Sequence, residues 1–246
     1  MEQKQLLNTA RLTGIWYLLL AISGVFGFMV FHPKVFVADD AQKTLNNLVE
    51  FSSVSRIRLL FELVIILSQA LAAVWFYKLF VGINKWAATT LGIWGTVNSI
   101  IIMVSAVAMY SVIELAAASS ISSEDKLVMV QVLTQIISNS WGIGGLFFGL
   151  WLLPMGYIIV SSKRMPPALG WVLIVGGVGY LLQTFLNAGG VQSSFINLLT
   201  IPATIGEFWI VGYLLIVGIR PEEIWKFEFG DVNETADDGS FDPPRR

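Results

Sequence analysis

Charged residues fall in clusters along this chain, and between them run apolar stretches at about 12–31, 59–77, 87–110, 141–161, 168–187 and 197–219. Each is close to the roughly 20 residues a helix needs to cross hydrocarbon. Backbone amides in a bilayer must be hydrogen-bonded within their own segment, and these runs are too long and too little alternating for barrel strands, so the pattern predicts helices. The expected architecture is all-α: a polytopic membrane helix bundle of six transmembrane helices over residues 1–219, followed by an acidic tail, 220–246, expected to be disordered. Lys4 and Arg11 precede the first run in the manner of a signal peptide. The run is longer than a signal core and lacks a small-residue cleavage site, so it is expected to remain as a span.

Two of the intervening segments carry a pattern of their own. Asp39 and Asp40 precede Ala41, Leu45, Leu48 and Val49 at helical spacing, which predicts a capped amphipathic helix. Ser122 stands three residues before Asp125, a capping spacing, and leads into Val130, Leu133, Ile136 and Ile137, with Asn139 expected to end the pattern. Two short amphipathic helices are therefore expected in the outer loops, and none in the connection from Gly189 to Ser194. Spans one, three and five open with similar words, Leu-Thr-Gly-Ile-Trp at 12–16, Leu-Gly-Ile-Trp at 91–94 and Leu-Gly-Trp at 169–171. A threefold repeat of helical hairpins would produce this, and so would the abundance of these residue types.

Composition narrows the function. Apolar residues make up 55% of the chain and charged residues 13%, about half the charge that a water-soluble domain carries. Net charge is −2 with dispersed bases, which offers no footprint for nucleic acid. There is no cysteine and one histidine, His32, so disulfides, thiol catalysis and a multi-histidine metal site are excluded. No span contains aspartate, and there is no H-E-x-x-H or phosphate-cradling loop. No catalytic residue, metal site or cofactor is assigned.

Orientation follows from basic residues in the loops. With the N-terminus inside, ten lysines and arginines lie in cytoplasmic segments against Lys34, Lys43, Arg56, Arg58 and Lys126 outside. Both termini are thus expected in the cytoplasm of a multi-pass protein of the cell membrane. Trp16, Tyr17, Trp75, Tyr77, Trp86, Tyr157 and Trp171 would form an aromatic belt at the inner interface.

Ionisable residues inside spans are costly, about 2.5–3.5 kcal/mol at a helix centre on insertion scales, and each calls for a reason. Glu62 follows Arg58 by one turn near the end of the second span, where a snorkelling surface pair would account for it. Glu207 lies midway through the last span, far from any base on its own helix, and is the strongest functional candidate. Thr200, Ala203 and Gly218 share its face and point it inward, with Phe195, Trp209 and Tyr213 towards lipid. Ser55, Arg58, Glu62 and Gln69 share one face of the second span, Asn98 and Ser105 one face of the third, and the fifth offers Tyr180, Gln183 and Asn187. Such stripes either line a polar cavity or serve as interhelical hydrogen-bond glue, worth about 0.6 kcal/mol each. Gly142, Gly145, Gly149 and Gly156 fall on one face of the fourth span and predict close helix packing, while Pro154 and Pro202 permit kinks.

The stretches FFGLWLLPMGY at 147–157 and PALGWVLIVGGVGY at 167–180, with ARLTG at 10–14 and GEFW at 206–209, resemble the core of a bacterial family of integral-membrane proteins of the DUF4386 type, a domain of unknown function. The resemblance spans roughly residues 10–219. It implies a bacterial inner-membrane protein and brings no activity, substrate or cofactor with it. Two function classes follow from the residues. One is a small-molecule or proton-linked transporter or receptor-like bundle, with Glu207, Glu62, Arg58, Gln69, Asn98 and Gln183 along its pathway. The other is a non-catalytic membrane component that binds lipid or a partner protein. An intramembrane enzyme built on Glu62 or Glu207 stands third. A polar, water-reachable cavity touching Glu207 would favour the first class, and without one the membrane-component reading leads.

Overall fold

The computed structural model describes residues 3–191 and 193–220, all of its regular elements helical. The predicted acidic tail, beyond Arg220, lies outside the described residues. In chain order the elements are α1 (Gln3–Val25), a π-helical turn (Phe26–Phe31), α2 (His32–Val35), α3 (Ala41–Glu50), α4 (Ser52–Phe80), α5 (Lys85–Ala117), α6 (Ser123–Ser162), α7 (Pro167–Ala188), a 3-10 segment (Ser194–Thr200) and α8 (Ile201–Ile216). Six helices are long and apolar enough to cross a membrane: Gln3–Val35, Ser52–Phe80, Lys85–Ala117, Ser123–Ser162, Pro167–Ala188 and Ser194–Ile216.

Each span packs against its neighbours in sequence, and the last returns to pack on the first, α8 against α1, so the six form a closed ring. The glycines of the repeated opening words occupy matching places. Gly92 lies against Tyr77 of α4, Gly170 against the Gly156 carbonyl of α6, and Gly14 against Leu214 and Leu215 of the last span. Each therefore meets the span that precedes it around the ring. Residues 3, 80–85, 162–167 and 220 define one end of the bundle, called here the terminal end, and 35–52, 117–123 and 188–194 define the far end.

The predicted helix at 41–50 forms as α3. Asp40 caps it, its Oδ1 accepting from the Lys43 amide at 2.8 Å. Leu45 and Leu48 bury into a far-end core with Met109, Val112 and Ile113 of α5 and Val130 and Ile137 of α6, whereas Val49 turns outward. The second amphipathic helix is not a separate element. Ser122 caps it as expected, its Oγ accepting from the Asp125 amide at 3.2 Å, but the helix runs without a break through Asn139 into the fourth span. Asn139 sits on an exposed face, while Val130, Ile137 and Gly144 keep one buried face continuous past it. A weak helix former does not end a helix that tertiary packing holds on both sides. At 40 residues α6 is the longest span, roughly 60 Å at 1.5 Å per residue, about twice the thickness of hydrocarbon.

The glycine face of α6 meets α7, with one exception. Gly149 lies against the Gly177 carbonyl, Gly156 against the Gly170 carbonyl and Gly145 against the Thr184 hydroxyl, each so close that an added Cβ would overlap its neighbour. Gly142 faces open space, with nothing within 4 Å of where a Cβ would be. The predicted four-glycine groove is thus three residues long, because α7 ends at Ala188 and leaves the first part of α6 without a partner there. Pro154 is buried within an unbroken α6. Pro202 falls in the first turn of α8, where its missing N–H has no partner to lose, so it starts a helix and does not kink one.

Candidate functional site

At the terminal end α1 and α8 are locked together. Gly14 admits Leu214 and Leu215, and Gly218, in a left-handed conformation with φ of 81°, admits Leu7. Towards the far end the two helices part, and Gly24 of α1 meets nothing within 4 Å. The fork between them holds a cavity of about 200 Å³. Its walls are Leu20, Ala21, Gly24, Val25 and Phe28 on the α1 side, Phe208 and Val211 on α8, and Ile65 of α4, Trp141 and Phe148 of α6 and Tyr180 of α7. Val25 is 41% exposed and Phe208 55% exposed, and both lie within spans. The mouth therefore faces sideways into the lipid, with a largely apolar and aromatic interior behind it, so it is a lipid-facing crevice and not the polar, water-reachable cavity expected of a transport pathway.

The crotch of the fork is polar. Tyr17 of α1 donates its hydroxyl to Oε1 of Glu207 at 2.8 Å, and both side chains line the cavity. Glu207 turns towards the cavity; of the residues expected on its face Ala203 and Gly218 are buried, and of those expected towards lipid Phe195 and Trp209 are exposed, whereas Tyr213 is half-buried and packs on the core. Tyr17, expected in the interfacial belt, is 2% exposed and packs edge-on against Phe76 at 5.6 Å and Trp151 at 5.3 Å between ring centroids. It was misplaced because depth along a helix does not tell which way a ring points. Trp86, Trp171, Tyr157 and Tyr77 are exposed, as belt residues are.

A second polar centre lies behind the cavity wall. The Arg58 Nη1 and Glu62 Oε2 are 2.6 Å apart and both side chains are 0% exposed, so the pair is not the snorkelling surface pair that its place near a helix end suggested. Glu62 Oε1 also accepts from Ser105 Oγ of α5 at 2.6 Å and from Trp141 Nε1 of α6 at 3.0 Å. The guanidinium lies 4.4 Å from the Phe28 ring centroid, a cation–π contact. Phe28 belongs to the π-helical turn, where the wider coil brings Gly27 alongside Arg58. Such turns occur frequently at functional sites. Hydrogen bonds from α5 and α6 meet the Glu62 side of this desolvated pair, whereas Arg58 Nε and Nη2 have no hydrogen-bond partner among the described residues and the guanidinium lies against Phe28 instead.

Trp141 and Phe28 join the two centres. Their rings meet edge-on at 4.2 Å between centroids, both line the cavity, and on their other sides one bonds Glu62 and the other covers Arg58. The remaining candidates from the polar stripes lie elsewhere. Gln69 and Asn98 are fully buried between α4, α5 and α6, with Gln69 Nε2 3.5 Å from the Gly95 carbonyl, and neither lines the cavity. Gln183 lies near the surface at the far end, 3.5 Å from Asn197, away from Glu207's cavity. Among the described residues no cluster of histidine and acidic side chains could hold a metal.

The site residues that the pattern did not reveal are Tyr17, Phe28, Trp141 and Phe148. Contact with a carboxylate or a cation distinguishes Tyr17, Phe28 and Trp141, and Phe148 is distinguished only by its place in the cavity wall. No curated protein and no solved structure matches the chain. A family model, described as Domain of unknown function (DUF4386), matches residues 12–218, from the first span to the end of the last. The chain belongs to the DUF4386 family.

Proposed function

We propose that this protein is a receptor-like or transporter bundle that takes a small amphipathic molecule sideways from the bilayer, with Glu207 as its polar anchor. The cavity between α1 and α8 supports this reading: it opens towards lipid, is walled by aromatic rings, and ends on the Tyr17–Glu207 hydrogen bond. Pockets that are mostly apolar with a few convergent polar groups are the usual form of a small-molecule site. A carboxylate this deep in a span is expensive unless it does something for that cost. In this reading the bundle, residues 1–219, sits in the cytoplasmic membrane with both termini inside. Proton-linked transport is a second reading, in which the Glu207 carboxyl, lining the cavity, would take up and release the proton.

The test fills the cavity without disturbing the bundle. Gly24 has free space around it, so Gly24→Leu should fold normally and occupy the mouth. A panel of aromatic alcohols, acids and amines is screened by thermal unfolding of the purified protein in detergent. A molecule that binds only the folded state raises the midpoint in proportion to ln(1 + [L]/Kd). The expected result is a set of compounds that stabilise the wild type and leave Gly24→Leu unmoved. Equal responses of the two proteins across the panel would remove the crevice as a binding site.

A further inference from the structure

The chemistry of the cavity selects a ligand by charge, an inference that rests on the ligand-binding role proposed above. Among the described residues its lining contains one carboxylate, Glu207, and no lysine, arginine or histidine. Arg58, behind the cavity wall, is spoken for: it pairs with Glu62 at 2.6 Å and lies under the Phe28 ring. Glu207 accepts from Tyr17 through Oε1, and its Oε2 accepts from none of the described residues. An acceptor without a cation thus faces a space from which water is largely kept by hydrocarbon-like walls. In such a medium an unpaired charge is strongly disfavoured and a counter-charge is worth far more than in water.

The walls favour the same sign. Phe148 and Tyr180 stack at 5.8 Å, Phe148 and Trp141 at 6.4 Å, and Phe28 meets Trp141 edge-on. Phe148 is stacked with a ring on each side and Phe28 already lies over Arg58, so the rings form an apolar wall, and any ring face that a ligand reaches would attract a cation. An anion would meet repulsion from the carboxylate. We infer that the crevice between α1 and α8 is a binding site for a lipophilic organic cation, a protonated amine or quaternary ammonium whose apolar part enters from the bilayer and whose charge rests between Glu207 and the aromatic rings.

Two probes that differ only in charge test this. Benzyltrimethylammonium carries a quaternary nitrogen where neopentylbenzene carries carbon, and both suit a cavity of about 200 Å³. Each is titrated against the full chain in detergent, with thermal stabilisation giving an apparent Kd. The cation should bind the wild type more tightly than its neutral isostere. Glu207→Gln retains a carbonyl acceptor for the Tyr17 hydroxyl, so the bundle should stay intact, and it should weaken the cation by about tenfold or more. The neutral probe should keep its wild-type affinity in that variant, which also reports a folded site. A neutral isostere that binds the wild type as tightly as the cation overturns the inference and leaves a site for neutral amphiphiles. Cation binding unchanged in Glu207→Gln overturns it as well, and so does failure of both probes to stabilise the wild type. The ligand role itself falls only if Gly24→Leu also makes no difference across the wider panel.

Discussion

Replacing Gly149 by alanine should loosen the α6–α7 seam measurably. The added Cβ would stand 2.6 Å from the Gly177 carbonyl oxygen and 3.0 Å from Leu181 Cγ, where ordinary contact begins at 3.4 Å. A carbonyl of helical backbone cannot swing away as a side chain does, so the two helices must part by the difference, about 0.8 Å. A gap of that size forfeits a quarter to a half of the dispersion attraction between the atoms lining it. Overpacking by one methyl in a close-packed interior typically costs about 1–3 kcal/mol. For a chain of this size 1 kcal/mol corresponds to about 2–4 °C, so the midpoint should fall by roughly 2–12 °C. The control lies on the same helix: Gly142→Ala adds the same methyl where nothing lies within 4 Å. It should be neutral or slightly stabilising, since alanine is the better helix former by up to about 1 kcal/mol. Gly156 packs on the Gly170 carbonyl in the same seam, and once the helices have parted for one methyl they have room for the second. The double variant Gly149→Ala/Gly156→Ala should therefore lose less than the sum of the singles. Thermal unfolding of the wild type, the three single variants and the double variant in one detergent decides the matter. An unchanged midpoint for Gly149→Ala beside a lowered one for Gly142→Ala would refute the close approach of α6 to α7.

Glu62→Gln should destabilise the bundle by about 3–5 kcal/mol, because it leaves the Arg58 guanidinium fully buried without its counter-charge. Adding Arg58→Met to that variant should restore much of the loss. A single variant as stable as wild type, or a double variant worse than the single, would show that the pair is not buried as described. The absence of cysteine allows single cysteines at Asn46, Ser123 and Asn84 to be probed in intact cells with an impermeant thiol reagent; Met165, also expected on the inner side, is buried and would not report. Positions 46 and 123 should label and 84 should not until the membrane is opened; the reverse pattern would invert the proposed orientation.

Legible in the chain alone were the number of spans, the capped helix at 41–50 and the buried stripes of α4 and α5. These follow from local rules. The free energy of putting a segment into hydrocarbon is a sum over that segment, and a helix face is fixed by spacing alone. Ser55, Arg58, Glu62 and Gln69 are accordingly all buried, as are Asn98 and Ser105. The tertiary structure decided what those faces meet. Glu207 bonds a tyrosine 190 residues away, and Arg58 and Glu62 are sealed by Phe28, Ser105 and Trp141 from three other segments. Gly142 and Gly149 share a helix face and differ only in whether α7 reaches them. Asn139 does not break its helix because packing on either side outweighs a weak local preference. The cavity itself has no sequence signature, since it lies where α1 and α8 fail to touch. Such a gap depends on how rigid helices cross, and no single segment encodes it.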